Sequence, residues 1–286
     1  MSKGRIGVVV ASFNRKSSTI AFLDSVRASL EHSDLEGSIV LVDDNSSDGT
    51  REAVAGLHPD VRVVRGDSTW YWAGSVRRGM ELLEPELDSL DGFILANDDV
   101  TLAVTAIGDV HDAGEAVDGL AGGAVYAADG TLEATGGLFG RVCRPLQRRL
   151  EPSGSIQRCD MLPGHCLYIP TAVYRRLGPF SPEFLHGYVD LEYSLRAERA
   201  GVPRVLVGRS VGSVAHPHHY QQETLALDLP LRELMWRVRF NPKAPPLSEG
   251  IRYLRLAAPV AWPIWIVPYY RSYLRLAARA LVRRPR

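Results

Sequence analysis

Cysteine is scarce in this chain: three residues in 286 (Cys143, Cys159, Cys166), an odd number with no CxxC pair. That excludes a disulfide framework and a closed thiolate zinc site, and fits reduced, incidental thiols in a cytoplasmic setting. Long hydrophobic runs are missing as well. The longest, "LAAPVAWPIWIVPYY" (Leu256–Tyr270), is shorter than the ~20 apolar residues that span a bilayer, and Pro259, Pro263 and Pro268 interrupt it. The opening "MSKGRIGVVVASF" has no signal-peptide layout and leads directly into a strand pattern. Internal repeats and low-complexity segments are absent. So are the glycines of a phosphate-cradling loop: "VVVASFNRKSS" has none, which argues against a nucleotidyltransferase.

Acidic residues are lacking from one part only. After Glu249 there is no Asp or Glu, but there are eight arginines, at 252, 255, 271, 275, 279, 283, 284 and 286. The formal net charge of zero therefore hides an acidic body of about −8 joined to a tail of about +8. What remains is ordinary for a globular protein: 45% hydrophobic and 23% charged residues, with length enough for a large core.

The apolar pattern comes in short runs. "RIGVVVA" (Arg5–Ala11) is β-branched throughout its middle, as in a strand buried on both faces. "SSTIAFLDSVRASL" places Ile20, Leu23, Val26 and Leu30 at helical spacing, with Ser and Thr where a cap belongs. "SIVLVDD" (Ser38–Asp44), "VRVV" (Val61–Val64) and "GFILA" (Gly92–Ala96) predict further strands, separated by a short helix from Thr50 and a helix in "GSVRRGMELL". This alternation predicts an α/β fold with a largely parallel sheet. Beyond Gly122 the pattern loosens into short strands and turns. A strand and helix follow in "DMLPGHCLYIPTAVYRRLG", then a helix over Val189–Gly201 with Gly201 as its C-cap, and a strand in "VPRVLVG".

In such sheets ligands bind beyond the carboxyl ends of the strands. Here those ends are "SFNR", "DDNSSDG" and "NDDV", so polar and acidic groups gather at one edge. The helix in "HGYVDLEYSLR" brings Asp190 and Glu192, and "GSVAHPHHY" offers His216, His218 and His219. Carboxylates with imidazole near a strand end suit Mn²⁺ or Mg²⁺. Each residue also has a plainer reading: Asp190 as a helix cap, His216 as a loop histidine, Trp70 and Trp72 as packing residues.

The segments "VVVASFNR", "VLVDDNSSDGT", "WYWAGSVRRGM", "ILANDDV" and "FLHGYVDLEYSLRAERAG" resemble, in order and spacing, the family 2 glycosyltransferases of the GT-A fold. The likeness covers about residues 5–220 and is nearest in flavour to bacterial transferases of surface polysaccharide, including rhamnosyl and galactofuranosyl types. The resemblance implies a Rossmann-like, mostly parallel sheet flanked by helices. It implies a domain over 1–225, with 1–120 holding the nucleotide sugar and 121–225 serving acceptor and catalysis. It further implies an inverting, metal-dependent transfer from a UDP- or dTDP-linked sugar. Ala11, Ser12, Asn14 and Asp43 or Asp44 would meet base and ribose. Trp72, Gly74 and Arg78 would line the nucleotide, and the D-x-D motif falls on Asn97, Asp98 and Asp99. Asp99 and His216 would hold the divalent metal, Asp190 would be the base, and Glu192 a supporting acid. His186 is a further candidate to touch acceptor or diphosphate. Asn97 departs from the family's acid at that position, and Val189 from the usual Glu before Asp190. A non-catalytic subunit keeping the fold is the rival from another class.

Residues 226–286 predict a helical, basic tail. Trp262, Trp265, Tyr269, Tyr270 and Tyr273 are interfacial types, and Arg271, Arg275 and Arg279 recur every four residues opposite Leu274, Ala278 and Leu281. A basic amphipathic helix on an anionic leaflet is the expectation, with packing on the domain or on a second copy of the chain as the alternative. The expected location is thus cytoplasmic, peripheral on the inner membrane face. The expected partners are a sugar donor and a glycan or lipid-linked acceptor, not nucleic acid.

Overall fold

The computed structural model describes residues 3–140, 147–215, 232, 247–267 and 278. Its first half alternates strand and helix: β1 (Arg5–Ser12), α1 (Lys16–His32), β2 (Glu36–Asp43), α2 (Thr50–Leu57), β3 (Arg62–Arg65), α3 (Tyr71–Leu83) and β4 (Gly92–Asn97). β1 pairs in parallel with β2 and β4, and β2 in parallel with β3. All four strands therefore end at the same sheet edge, as the alternation predicts.

The second half brings antiparallel pairings into the sheet, which was expected to be largely parallel. It comprises β5 (Val100–Leu102), α4 (Ala106–Val117), β6 (Leu120–Ala127), β7 (Leu132–Ala134), β8 (Gly137–Phe139), β9 (Gln147–Arg149), β10 (Gln157–Arg158), β11 (Cys166–Pro170), α5 (Thr171–Leu177), α6 (Val189–Arg199), β12 (Arg204–Val214) and α7 (Leu247–Ala257). The main sheet runs β10-β12-β6-β11-β4-β1-β2-β3, with β5 on β12 and β7 on β6. β11 lies antiparallel between β4 and β6, while β6 and β12 pair in parallel. The sheet is therefore mixed, a feature the sequence does not mark, since a fully buried apolar strand looks the same whichever way it runs.

Alternate residues of β1 supply two cores. Ile6, Val8 and Val10 join Phe22, Leu23 and Val26 of α1 and Ile107 and Val110 of α4 on one face. Val9 and Ala11 join Val76 and Met80 of α3, Val173 of α5, Tyr193 of α6 and Tyr253 of α7 on the other. This is the period-two geometry of a strand covered by helices on both sides. α7 thus packs on α6 as part of the body, with Tyr253, Leu254 and Ala257 buried. No helix among the described residues is long and apolar enough to cross a membrane.

Two sequence expectations shift by a few residues. α1 starts at Lys16 without a Ser or Thr cap. Instead Asp48, from the loop after β2, accepts from the Lys16 amide at 2.9 Å. The strand in "VPRVLVG" continues through Val214, where it pairs with β5. Cys159 and Cys166 are free and buried, and burial pushes both thiols up to about 12, so they are inert; Cys143 lies outside the described residues.

Candidate functional site

The strand ends bring most of the expected residues together. Ala11 sits opposite Asn97 in the register, and Ser12 opposite Asp43. Asn14, at φ 53°, ties the first two strand ends: its amide donates to Ser46 Oγ at 2.8 Å, and its side-chain oxygen accepts from the Ser47 amide at 2.8 Å. The two acids after β2 are turned to internal tasks. Asp43 is fully buried and accepts from the Ser46 amide and hydroxyl, with Arg51 3.7 Å away. Asp44 accepts from the amides of Ser68 (2.9 Å) and Tyr71 (3.0 Å). Ser68 and Tyr71 both have left-handed φ values, so Asp44 fixes a strained approach to α3. Both carboxylates hold the loops after β2 and β3 in place; neither is left pointing out as a loose charge.

The acids at the end of β4 meet a residue that the sequence does not single out, Arg15 from the loop after β1. Its guanidinium lies 2.9 Å from Asp98 and also pairs closely with Asp99. Asp98 is buried, accepts from Thr19 Oγ1 at 3.0 Å, and Thr19 in turn shares a hydrogen bond with Ser12 at 2.8 Å. Burial raises the Asp98 carboxyl above its usual range, against the pull of Arg15; Asp99 nearby adds to the rise. "SFNR" already placed an arginine at this strand end, but nothing local says which acid it will meet.

Asn97 Oδ1 is buried with no hydrogen-bond partner among the described residues. β12 ends with Val214 opposite Val100, and Ala215 is the last described residue of this segment. His216 is the next residue, and it lies outside the described residues with His218 and His219. Among the described residues no three His, Cys, Asp or Glu side chains cluster as a complete metal site. The oxygens of Asn97 and Asp99 nonetheless fit a hard divalent cation, which takes one or two protein carboxylates and fills its shell with phosphate and water. The Arg15 guanidinium shows that this corner accepts a positive charge.

Asp190 enters from the other side. It sits in the first turn of α6, Oδ1 accepting from the Leu191 amide at 2.9 Å and Oδ2 from the Gly164 amide at 3.2 Å. Burial raises its carboxyl above the ordinary value, and those two amides partly offset the rise. The bend carrying Gly164 and His165 immediately precedes β11, whose first residue, Cys166, pairs with Ala96. The Asp190 support therefore lies beside the Asn97–Asp99 end of β4. Gly164 is required there: a Cβ would come 2.4 Å from the Trp72 ring. Trp72 packs on Phe180 at 5.8 Å between centroids, and its Nε1 is buried with no partner among the described residues.

Two expected residues take other places, and Gly74 keeps the helix start expected of it. Glu192 follows Asp190 by two positions, about 200° around a helix, and faces inward to Arg196 at 2.8 Å. Arg196 then donates to the carbonyls of Leu177 (2.5 Å) and Pro179 (2.9 Å). Glu192 is a brace of the loop before α6, not a second acid beside Asp190. Arg78 pairs with Glu81 on the exposed flank of α3. Gly74 lies in the first turn of α3, its amide donating to Trp70 O at 3.0 Å.

Residues 7–109 match the family model "Glycosyl transferase family 2". A search of curated protein sequences found no match. Among solved structures, the chain is similar to a crystal structure of GalNAc-T7 with UDP, GalNAc and Mn²⁺, at TM-score 0.58 and 14% identity. The alignment covers 89% of this chain and 52% of that one, so this chain spans about half of that protein's length. At that identity the likeness speaks to the fold alone. Residues 7–109 of this chain are thus similar to the glycosyl transferase family 2 domain, and the mixed α/β sheet flanked by helices is consistent with the GT-A fold.

Proposed function

We propose that the protein is a glycosyltransferase that moves a sugar from a nucleoside diphosphate to an acceptor hydroxyl, with Asp190 as the base. The observation that carries this reading is the meeting of two acidic elements at one edge. Asn97–Asp99 ends β4, and Asp190, in the first turn of α6, accepts from Gly164 on the bend that runs alongside it. The family match over 7–109 supports the donor half.

The chain's own residues divide the work as follows. The loops after β1, β2 and β3, fixed by Asn14, Asp43 and Asp44, shape a cleft for base and ribose at the strand ends. Trp72, with its buried indole N–H, packs against Gly164, whose amide supports Asp190. Asp190 then removes the acceptor hydroxyl's proton as the new bond forms, a contribution of about 10²–10⁴-fold. Its raised carboxyl suits it, since a base with a pKa nearer the working pH holds a proton better. Asn97 and Asp99 would hold a divalent cation, with His216 a further candidate, and the cation's chemistry is to offset charge on the departing diphosphate. One base on the acceptor side supports a single displacement with inversion.

The finer reading takes a UDP or dTDP donor, a rhamnose- or galactofuranose-type sugar and a lipid-linked glycan acceptor at the inner membrane face. It is supported by the motifs and by residues 258–267. There Val260 is 94% exposed and Ile264 71%, just ahead of a stretch whose only charges are arginine.

The test is release of nucleoside diphosphate from UDP-, dTDP- and GDP-sugars with Mn²⁺, Mg²⁺ or EDTA, for wild type, Asp99→Asn and Asp190→Asn. Metal-dependent release from one donor, abolished in Asp99→Asn, supports the transferase. If nucleotide binds with metal but nothing turns over on any acceptor offered, the non-catalytic reading replaces it.

A further inference from the structure

The segment 183–188, which runs into Asp190, is gripped from two sides. On one side, Leu185 O accepts from the Ala73 amide at 3.1 Å, next to Trp72 at the start of α3. On the other side stands α7. Its first turn carries Glu249, only 3% exposed, and Glu249 Oε1 accepts from the Leu185 amide at 3.0 Å. The amides of Gly187 and His186 also face this carboxylate and hold its pKa down against the larger effect of burial, which raises it. Two further contacts complete the grip. Tyr253 of α7 stacks on Tyr188 at 5.0 Å and 16°, and Arg252 pairs with Glu183 at 3.4 Å and also donates to its carbonyl. Arg199, at the end of α6, donates to Leu256 O at 2.7 Å, so α7 is tied to both ends of α6.

A buried carboxylate on an otherwise apolar helix face is costly. Mere packing of α7 on α6 does not need one, since Leu254 and Ala257 already bury their side chains there. What Glu249 adds is convergence on successive backbone amides just before Tyr188, which sits at φ 63°. Tyr188 O then accepts from the Glu192 amide at 2.8 Å and opens the turn that presents Asp190. The direction of the Asp190 side chain thus depends on where residues 185–188 are held.

We propose that Glu249 is a positioning residue for Asp190, clasping the 185–187 backbone so that α7 sets the geometry of the catalytic turn. The proposal rests on the transferase reading for its kinetic consequence, but its structural content stands apart from it. A misplacement of about 1 Å at a reacting group costs on the order of 10²-fold, and loss of one of several tethers should cost a fraction of that.

The experiment uses the full chain, comparing wild type, Glu249→Gln and Glu249→Ala by transfer kinetics and by hydrogen–deuterium exchange, well below the melting temperature. In Glu249→Ala, kcat for transfer should fall about tenfold while the donor KM and nucleotide binding stay within about twofold. Amides 185–190 should exchange at least about tenfold faster, with those of β1 and β4 unchanged. Glu249→Gln, which keeps an oxygen for the Leu185 amide, should recover most of both effects. Unchanged kcat in a folded alanine variant overturns the proposal, as does faster exchange spread evenly over the chain. If the alanine variant does not fold, Tyr253→Leu carries the same expectations at about threefold. If wild type shows no transfer at all, the transferase reading fails by itself. The exchange pattern then decides the clasp: local loss of protection at 185–190 upholds it, and none overturns it.

Discussion

Replacing Arg15 by methionine keeps the stem and removes the charge that lies against Asp98 and Asp99. The carboxylate at stake is Asp98, 3% exposed. Taking away one partner of a buried ion pair costs about 3–5 kcal/mol. The Arg15 side chain is 34% exposed, so screening trims this to roughly 2–3 kcal/mol. At about 2–4 °C per kcal/mol for a chain of this size, the melting temperature should drop by roughly 4–12 °C at pH 8. The sign of the pH dependence follows from burial. Asp98 already has a folded pKa above the ordinary 3.8, and without Arg15 it rises further. The folded state then binds more protons than the unfolded one between 3.8 and the raised value, so stability recovers as pH falls through that window. The deficit should therefore be largest at pH 8 and shrink toward pH 5. Mn²⁺ should raise the variant's melting temperature more than the wild type's, because the cation no longer competes with a guanidinium. Thermal unfolding of both proteins at pH 5, 6.5 and 8, with and without Mn²⁺, reads all of this. A variant within about 2 °C of wild type at every pH would falsify the account of an uncompensated buried charge at Asp98.

Other expectations are quicker to state. Gly164→Ala drives a Cβ to within 2.4 Å of Trp72, which should cost about 1–3 kcal/mol. It should also lower kcat by shifting the amide that supports Asp190, read by chemical denaturation beside turnover. The raised carboxyl of Asp190 means its base form is lost early on acidification. The acid limb of kcat/KM should have its midpoint above 3.8, and Asp190→Asn should abolish that limb along with most activity. The same substitution should raise the melting temperature at pH 8, because it relieves a carboxylate whose dominant influence is burial; a lower melting temperature counts against the burial argument. Val260→Asp with Ile264→Asp, both exposed, should leave turnover on a soluble acceptor intact and weaken sedimentation with anionic vesicles. Unchanged sedimentation removes residues 258–267 from the membrane reading.

The sequence showed clearly what depends on neighbours along the chain. The four strands through β4, their common edge and the acids at that edge follow from alternation and turn chemistry, and so does the helix that carries Asp190; the role given to Asp190 came from the family resemblance. What it concealed depends on partners far away. The direction of β11 and the length of β12 are settled by which strands they lie beside, and "CLYIP" or "RSVGSV" hold no mark of that. Glu192 is two residues from Asp190 in sequence, but helix geometry sends it to the opposite side. Asp43 and Asp44 read as outward-facing acids because "VDDNSSDG" ends a strand, yet nearby amides draw both inward. Arg15 and Glu249 are single charges whose partners are 83 and 64 residues distant, beyond any local pattern.

The antiparallel placement of β11 has a consequence for how the chain is made. When β4 leaves the ribosome, its apolar "GFILAN" edge can zip to β1, but its other edge stays bare until Cys166–Pro170 is synthesised. About 70 residues of translation separate the two, roughly 4–15 s at 5–20 residues per second. Throughout that interval the nascent chain displays a sticky ribbon, open to pairing with any extended neighbour. A holdase, or simply a low local concentration of nascent chains, is what this topology asks of the cell that makes it.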